Sequence, residues 1–370
     1  MSARSTMEKI LLAADVKING NRPWDIQVKN NNFYRQLLAG GSLALGESYM
    51  AGWWDAASPD EFICRILKAD IKKHAPLTAG VLWDFSVNLL TNRQSIGKSF
   101  NIGKKHYDIG NDLYAAMLDK RLIYTCGYWP KAANLDEAQE AKLELTCKKL
   151  GLKPGQTVLD IGCGWGSFAK YAAEKYKVRV IGITVSKEQK DLSDKLCQGL
   201  PVEIKLLDYR NIQGQFDHIV SLGMFEHVGA KNYRKYMKIV HLCLKDDGLF
   251  LLHTIGASKQ HYLSDPWIEK YIFPNGFIPG AKHIIKASNA LFIMEDWHNF
   301  GADYDKTLMA WYKNFDANWN KLKTKYDDQF YRMWKYYLLC CAGSFRARHN
   351  QLWQIVFSKR GVPGGYESFR

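Results

Sequence analysis

The chain has 370 residues, 47% of them hydrophobic and 24% charged, with 51 Lys and Arg against 37 Asp and Glu. That length suits two domains, and that balance excludes a disordered chain; no apolar run reaches the roughly 18 residues that a membrane-spanning helix needs. A formal charge of +14 favours polyanions, either a nucleic acid or an anionic membrane surface, with a solvated basic face as the alternative.

The first residues, MSARSTMEKILLAADVKING, read as a short amphipathic helix and not as a signal peptide. Residues 1–90 look mainly helical around an aromatic corner, GESYMAGWWD. SPDEF at 58–62 has the form of a helix start, with Ser58 as cap and Pro59 in the first turn. TNRQSIGKSFNIGKKHYDIGND, residues 91–112, is polar, glycine-punctuated and basic, and reads as a linker. Lys98, Lys104 and Lys105 in it would suit reversible docking on anionic headgroups. The eight cysteines include no CxxC pair, so no metal site is expected, and their irregular spacing fits a reducing cytosol.

From residue 151 the rhythm changes. KPGQTVLDIG gives a turn and a buried strand, SFAKYAAEKY a helix, VRVIGIT a second strand, and SKEQKDLSDKLCQ a helix capped by Ser186. VEIKLL and FDHIVSLG read as strands, NYRKYMKIVHLCLK as a helix and GLFLLHTIG as a fifth strand. This alternation predicts an α/β fold, a parallel sheet with helices on both faces. Residues 257–289 interrupt it with aromatic side chains. LFIMEDW and LWQIVFSK then read as two further strands, separated by long amphipathic helices over 304–349.

The end of the first strand, VLDIGCGWGS, carries Asp160 followed by Gly162, Gly164 and Gly166. In an open parallel sheet, ligands lie beyond the carboxyl ends of the strands. A dinucleotide fold would show G-x-G-x-x-G with pyrophosphate on the helix N-terminus. Here the spacing differs, and an aspartate two residues before the first glycine would repel phosphate. Unit charges at 4 Å interact by about 1 kcal/mol in water and about 4 kcal/mol at an effective dielectric of 20. The sign favours a ligand with an ammonium and no phosphate, which S-adenosylmethionine satisfies. GITVSKEQ lacks the acid often found on the second strand; Thr184 and Gln189 offer neutral contacts instead. Tyr209 in DYR offers a flat wall for adenine. No (Asp/Asn)-Pro-Pro-aromatic tip for a flipped base follows strand four, which argues against nucleic acid.

Four further stretches set single polar groups among apolar neighbours: IYTCGYW, MFEHVG, LLHTIG and NFGADYDKTLMAW. Cys126 alone reads as a small buried hydrophobe, His253 as a core histidine and Tyr304 as a helix-start aromatic. Glu226 is harder to place as structural, since carboxylates seldom sit unpaired among apolar residues.

In order along the chain, HYDIGNDLY, YTCGYW, VLDIGCGWGS, GITVSKEQ, LGMFEHVG, LLHTIG and NFGADYDKTLMAW resemble the cyclopropane-fatty-acyl-phospholipid synthase family, which includes the mycolic acid cyclopropane synthases. The resemblance covers about residues 100–370, and the GWWD corner extends it to the phospholipid-acting bacterial members. It implies a class I S-adenosylmethionine-dependent methyltransferase, a Rossmann-like seven-stranded sheet, with a smaller helical N-terminal domain. Residues 1–90 would form that domain with a membrane or dimer role, 91–112 the linker, and 113–370 the catalytic domain with an acyl-binding insertion at 257–311. Tyr124, Thr125, Gly162, Gly164, Thr184, Gln189, Tyr209 and Arg210 would line the S-adenosylmethionine site. Cys126 and Ile255 through their backbones, with Glu226, His253 and Tyr304, would hold bicarbonate. Cys341 in LLCCAGSFRAR has an active-site role in some descriptions of the family, although no step requires a thiol nucleophile.

The implied partners are unsaturated phospholipid acyl chains and, peripherally, the inner face of the membrane; a homodimer is compatible by analogy. An alkene cannot be activated by deprotonation, so the sulfonium must be held in near-attack geometry. The resulting carbocation needs a dry, aromatic-lined chamber. Bicarbonate can take the final proton, and Glu226 as direct base is the simpler alternative. Related chemistry without ring closure, or a nucleic-acid-binding protein on the same fold, are the competing readings.

Overall fold

The structure, a computed structural model, describes residues 2–69, 110–258 and 264–370. Its helices in chain order are α1 (Ala3–Leu12), α2 (Asn32–Met50), α3 (Pro59–Lys68), α4 (Asn111–Met117), α5 (Leu135–Leu150), α6 (Ser167–Tyr176), α7 (Lys187–Leu196), α8 (Tyr233–Cys243), α9 (Pro266–Tyr271), α10 (Ala281–Ser288), α11 (Ala302–Leu322) and α12 (Asp328–Arg346). The strands are β1 (Gln27–Val28), β2 (Trp54–Asp55), β3 (Thr157–Ile161), β4 (Arg179–Thr184), β5 (Val202–Leu206), β6 (Phe216–Leu222), β7 (Leu244–Ala257), β8 (Ile293–Asn299) and β9 (Asn350–Ser358). Lys98, Lys104, Lys105 and most of the expected linker lie outside the described residues.

The chain divides into two compact units. One gathers residues 1–91, 261–274 and 304–350; the other gathers 92–260, 275–303 and 351–370. The helical unit is thus larger than the expected N-terminal domain of 1–90, because α9, α11 and α12 belong to it. Segments remote in sequence share its core. Trp54, in the small β1–β2 ladder, is fully buried, and its ring lies 5.0 Å from Tyr49, 5.3 Å from Phe62 and 6.3 Å from Tyr336 of α12. Arg346 of α12 meets Asp305 at 2.9 Å and Asp60 of α3 at 2.6 Å. Ser58 precedes α3 as expected, with Pro59 in the first turn, but its side chain makes no capping bond.

The other unit carries a seven-stranded sheet in the order β5-β4-β3-β6-β7-β9-β8. The first five strands of that order pair in parallel, and β8 pairs with β9 antiparallel. Along β7, Phe250 and Leu252 enter one buried cluster with Tyr236 and Trp353, while Leu249 and Leu251 enter another with Leu143 and Phe168. Both faces are therefore covered, which explains why these strands read as continuous apolar runs. Strand order reverses between β4-β3 and β6-β7, so a crevice opens at the carboxyl ends of β3 and β6.

Candidate active site

The crevice is built first from the β3 turn. Asp160 pairs in register with Gly182 and Val220 of the flanking strands and is fully buried. Burial pushes its carboxyl up to about 7, with the Lys142 ammonium opposing, and Oδ1 has no hydrogen-bond partner among the described residues. Gly162 follows at φ +82, where a Cβ would stand 2.7 Å from the Met224 side chain. Only glycine takes that turn without strain and leaves the floor open. Asp160, Gly162, Gly164, Thr184, Gln189, Tyr209, Met224 and His227 line one cavity with Tyr124 and Thr125. Thr184 donates to the Gln189 Oε1 at 2.8 Å, so the amide NH2 is what Gln189 has left to offer. Ser186 caps α7, as its sequence position implied, by accepting from the Gln189 amide at 3.2 Å.

Leu122, Ile123, Tyr124 and Thr125 line the same cavity, in a segment fixed by buried polar groups. Asp119 accepts from the amides of Arg121 and Ile123 at 3.0 and 2.8 Å. From α5, Gln139 donates to the Thr125 carbonyl and Lys142 to the Thr125 hydroxyl, each at 2.8 Å. The Lys142 ammonium is pushed down to about 8 by burial, with Asp119, Cys126 and Asp160 opposing. The Tyr124 ring stands 5.2 Å from Tyr114, which stands 4.9 Å from Trp165 of the glycine turn.

Next to this cavity, at the ends of β6 and β7, lies the second group of expected residues. Glu226 occupies a short 3-10 turn, Phe225–His227, whose neighbours Met224 and His227 line the cavity. Its Oε1 accepts from the Ile255 amide at 2.6 Å, while Oε2 is buried without a partner among the described residues. Burial pushes this carboxyl up to about 7, against the bond from Ile255. His253 pairs with Leu222 in the sheet, and its carbonyl accepts from Gly223 at 2.9 Å. Its ring is buried and held neutral by desolvation, Nδ1 faces Gln354 at 3.3 Å, and Nε2 has no partner among the described residues. A Cβ on Gly223 would press on the Thr125 side chain at 2.6 Å, so the residue before Cys126 lies against the turn that meets His253. Two orphaned polar atoms, one carboxylate oxygen and one ring nitrogen, are therefore held at neighbouring strand ends.

Several expected residues take other places. Gly166 does not line the cavity; it opens α6 and abuts Ser193 of α7 and Cys197, the residue that caps its end. Arg210 folds back onto Asp208 at 2.9 Å with its guanidinium 4.9 Å from the Tyr209 ring, and does not line the cavity either. The Ile255 amide is occupied by Glu226, so Ile255 acts through that carboxylate. Tyr304 and Cys341 belong to the helical unit. Tyr304 packs 4.5 Å from the Phe345 ring, and burial pushes the Cys341 thiol up to about 12, unsuited to a thiolate nucleophile. Conversely, Lys142, Gln139 and His227 escaped the sequence reading. On α5 nothing local in LDEAQEAKLELTCKKL shows that Lys142 and Lys149 are buried.

The mycolic acid cyclopropane synthetase family model matches residues 94–355. The chain belongs to that family. The cyclopropane-fatty-acyl-phospholipid synthase of Escherichia coli strain K12 is 52% identical over 357 residues, spanning 96% of this chain and 93% of that one. A probable fatty acid methyltransferase of Pseudomonas putida is 35% identical over 71% of this chain and 70% of its own. Among solved structures, the mycolic acid cyclopropane synthase CmaA1 complexed with SAH and CTAB is 32% identical, covers 70% of this chain and 98% of its own, and superposes with a TM-score of 0.66. This member of the cyclopropane synthetase family is thus an S-adenosylmethionine-dependent methyltransferase, with the α/β fold expected of one.

Proposed function

We propose that this enzyme delivers a methylene group from S-adenosylmethionine to a cis double bond of an unsaturated phospholipid acyl chain, leaving a cyclopropane ring. The observation that carries the reading is the pair of buried atoms without partners among the described residues, Glu226 Oε2 and His253 Nε2, beside a cavity suited to the donor. Bound in that cavity, S-adenosylmethionine supplies an electrophilic methyl group on a sulfonium. Asp160 is the natural partner for its ammonium, Thr184 and Gln189 for its ribose and Tyr209 for its adenine. The alkene's π electrons form the new carbon–carbon bond as the carbon–sulfur bond breaks, leaving a carbocation on the acyl chain. Ring closure then requires a proton to leave the added methyl group.

Glu226 and His253 fit a bicarbonate ion at that point. Buried orphans are costly until paired. One is an acceptor, which a bicarbonate O–H satisfies; the other serves as a donor to a bicarbonate oxygen. The Cys126 amide is a further contact in this reading. Bicarbonate supplies the base that takes the proton, and Glu226 holds and orients it instead of acting on carbon. The neighbouring aromatic wall includes Phe300, 5.8 Å from the His253 ring. The test is turnover on vesicles of cis-unsaturated phospholipid in carbon-dioxide-free buffer. Turnover is expected to collapse there and return on adding bicarbonate; unchanged turnover would make Glu226 the direct base.

Peripheral docking of a cytoplasmic enzyme on an anionic membrane is the second part of the proposal. No helix of the described residues is long and apolar enough to cross a membrane. On the sheet unit, α8 and α10 contain no carboxylate, and they expose Lys235, Lys238, Lys282 and Lys286 beside exposed Leu242 and Ile285. Neutralising Lys282 and Lys286 to glutamine should weaken binding to anionic vesicles roughly 30-fold, from about 1 kcal/mol per lysine at the surface. Co-sedimentation with vesicles, with RNA as competitor, measures this. Loss of vesicle binding to added RNA would favour a nucleic-acid partner instead.

A further inference from the structure

We infer that Gln354 is a positioning residue that keeps the proton of His253 on Nε2, pointed into the site, and that Thr146 sets the direction of the Gln354 amide. The inference rests on the reading of His253 as a donor to bound bicarbonate.

Gln354 lies in the middle of β9 with no solvent exposure, in the otherwise apolar run LWQIVF. Such a side chain needs polar partners, and two are present. The Gln354 Nε2 stands 3.2 Å from the Thr146 Oγ1 and 3.3 Å from the His253 Nδ1. The two ends of a glutamine amide are nearly the same shape, so which end faces these partners must follow from what they can accept or donate.

Thr146 decides it. Its hydroxyl lies 2.8 Å from the Lys142 carbonyl, one turn back on α5. A carbonyl only accepts, so the single hydroxyl proton is committed there. Toward Gln354, Thr146 can only accept, and the amide end facing it must be the NH2 group. The second hydrogen of that group is then directed at the His253 Nδ1, which must hold a lone pair. A neutral imidazole with a lone pair on Nδ1 carries its proton on Nε2. Desolvation, with Lys142 and Lys149 adding to it, holds the ring neutral. The Nε2–H is left without a partner among the described residues, as a donor awaiting an anion's oxygen. Orientation by a hydrogen bond to the far ring nitrogen is how proteins fix a histidine's tautomer.

The same helix therefore acts at two places. The Lys142 ammonium holds the Thr125 hydroxyl of the cofactor wall, and its carbonyl fixes Thr146, hence Gln354, hence His253.

The test uses full-length enzyme labelled with 15N at its histidine rings, with His253 assigned by comparison with His253→Asn. The wild type should show His253 protonated at Nε2. Gln354→Met keeps the length of the side chain and removes the donor; it should populate the Nδ1–H form and raise the bicarbonate concentration needed for half-maximal turnover at least tenfold. Affinity for S-adenosylhomocysteine should remain, which reports an intact cavity. If Gln354→Met is unstable, Thr146→Val should shift the tautomer in the same direction, while Thr146→Ser should preserve the Nε2–H signal. A wild-type His253 protonated at Nδ1 would overturn the inference, as would an unshifted tautomer in both Gln354→Met and Thr146→Val. Wild-type turnover independent of bicarbonate would instead overturn the bicarbonate reading, and the ring spectra would still decide the role of Gln354.

Discussion

Glu226→Gln is expected to lower ring formation by about 10²- to 10⁴-fold, the range lost when a positioned acid–base group is removed. The amide keeps the shape and can still accept from the Ile255 amide, so the turn over residues 225–227 should persist. What disappears is the charge that makes Oε2 a strong acceptor. Binding of S-adenosylhomocysteine should be retained, because Glu226 does not line the cofactor cavity. The pH profile gives the sign independently. Burial places this carboxyl at about 7, and only its ionised form accepts the bicarbonate proton. At constant bicarbonate concentration, wild-type turnover should therefore rise through pH 7, and this limb should vanish in Glu226→Gln. A variant that kept full turnover would remove Glu226 from the chemistry.

Asp160→Asn should weaken S-adenosylhomocysteine binding by about one to three orders of magnitude. The estimate follows from about 1 to 4 kcal/mol for a charge pair at 4 Å, depending on how much water screens it. The Asp160 carboxyl is pushed up to about 7, so it is largely protonated below that pH. The ligand's ammonium favours the ionised form, and linkage then fixes the direction: wild-type affinity should fall as pH drops below 7, by up to about tenfold per unit, and level off above 8. In Asp160→Asn that dependence should flatten. Calorimetry at several pH values reads both effects. Equal affinity in the two proteins would show that the acid at the strand tip serves the fold and not the ligand.

Much of the sheet was legible because its signals are local. The run VLDIGCGWGS states a buried strand, a turn needing positive φ and a helix start within ten residues, and the structure places them so. Ser186 was readable as a cap for the same reason. Glu226 stood out because a carboxylate among apolar neighbours is expensive, and its half-paired state carries that tension into the folded protein.

What escaped notice depends on contacts between distant segments. No local pattern joins residues 1–91 to 261–274 and 304–350 in one unit, since each helix's apolar face is compatible with many partners. Lys142 and Lys149 sit on a helix whose charges look solvated until strands cover it. Gln354 read simply as one polar residue within a strand; only its distances to Thr146 and His253 reveal a task. Gly166, a glycine of the VLDIGCGWGS run, lies against Ser193 and Cys197.

The most direct test supplies a donor with a fully deuterated methyl group and cis-unsaturated phospholipid vesicles, then weighs the acyl product. Ring closure removes one hydrogen from the delivered methyl, so the product should carry a CD2 bridge and no remaining double bond. A product retaining all of the label as CD3, or no labelled lipid at all, would contradict the account.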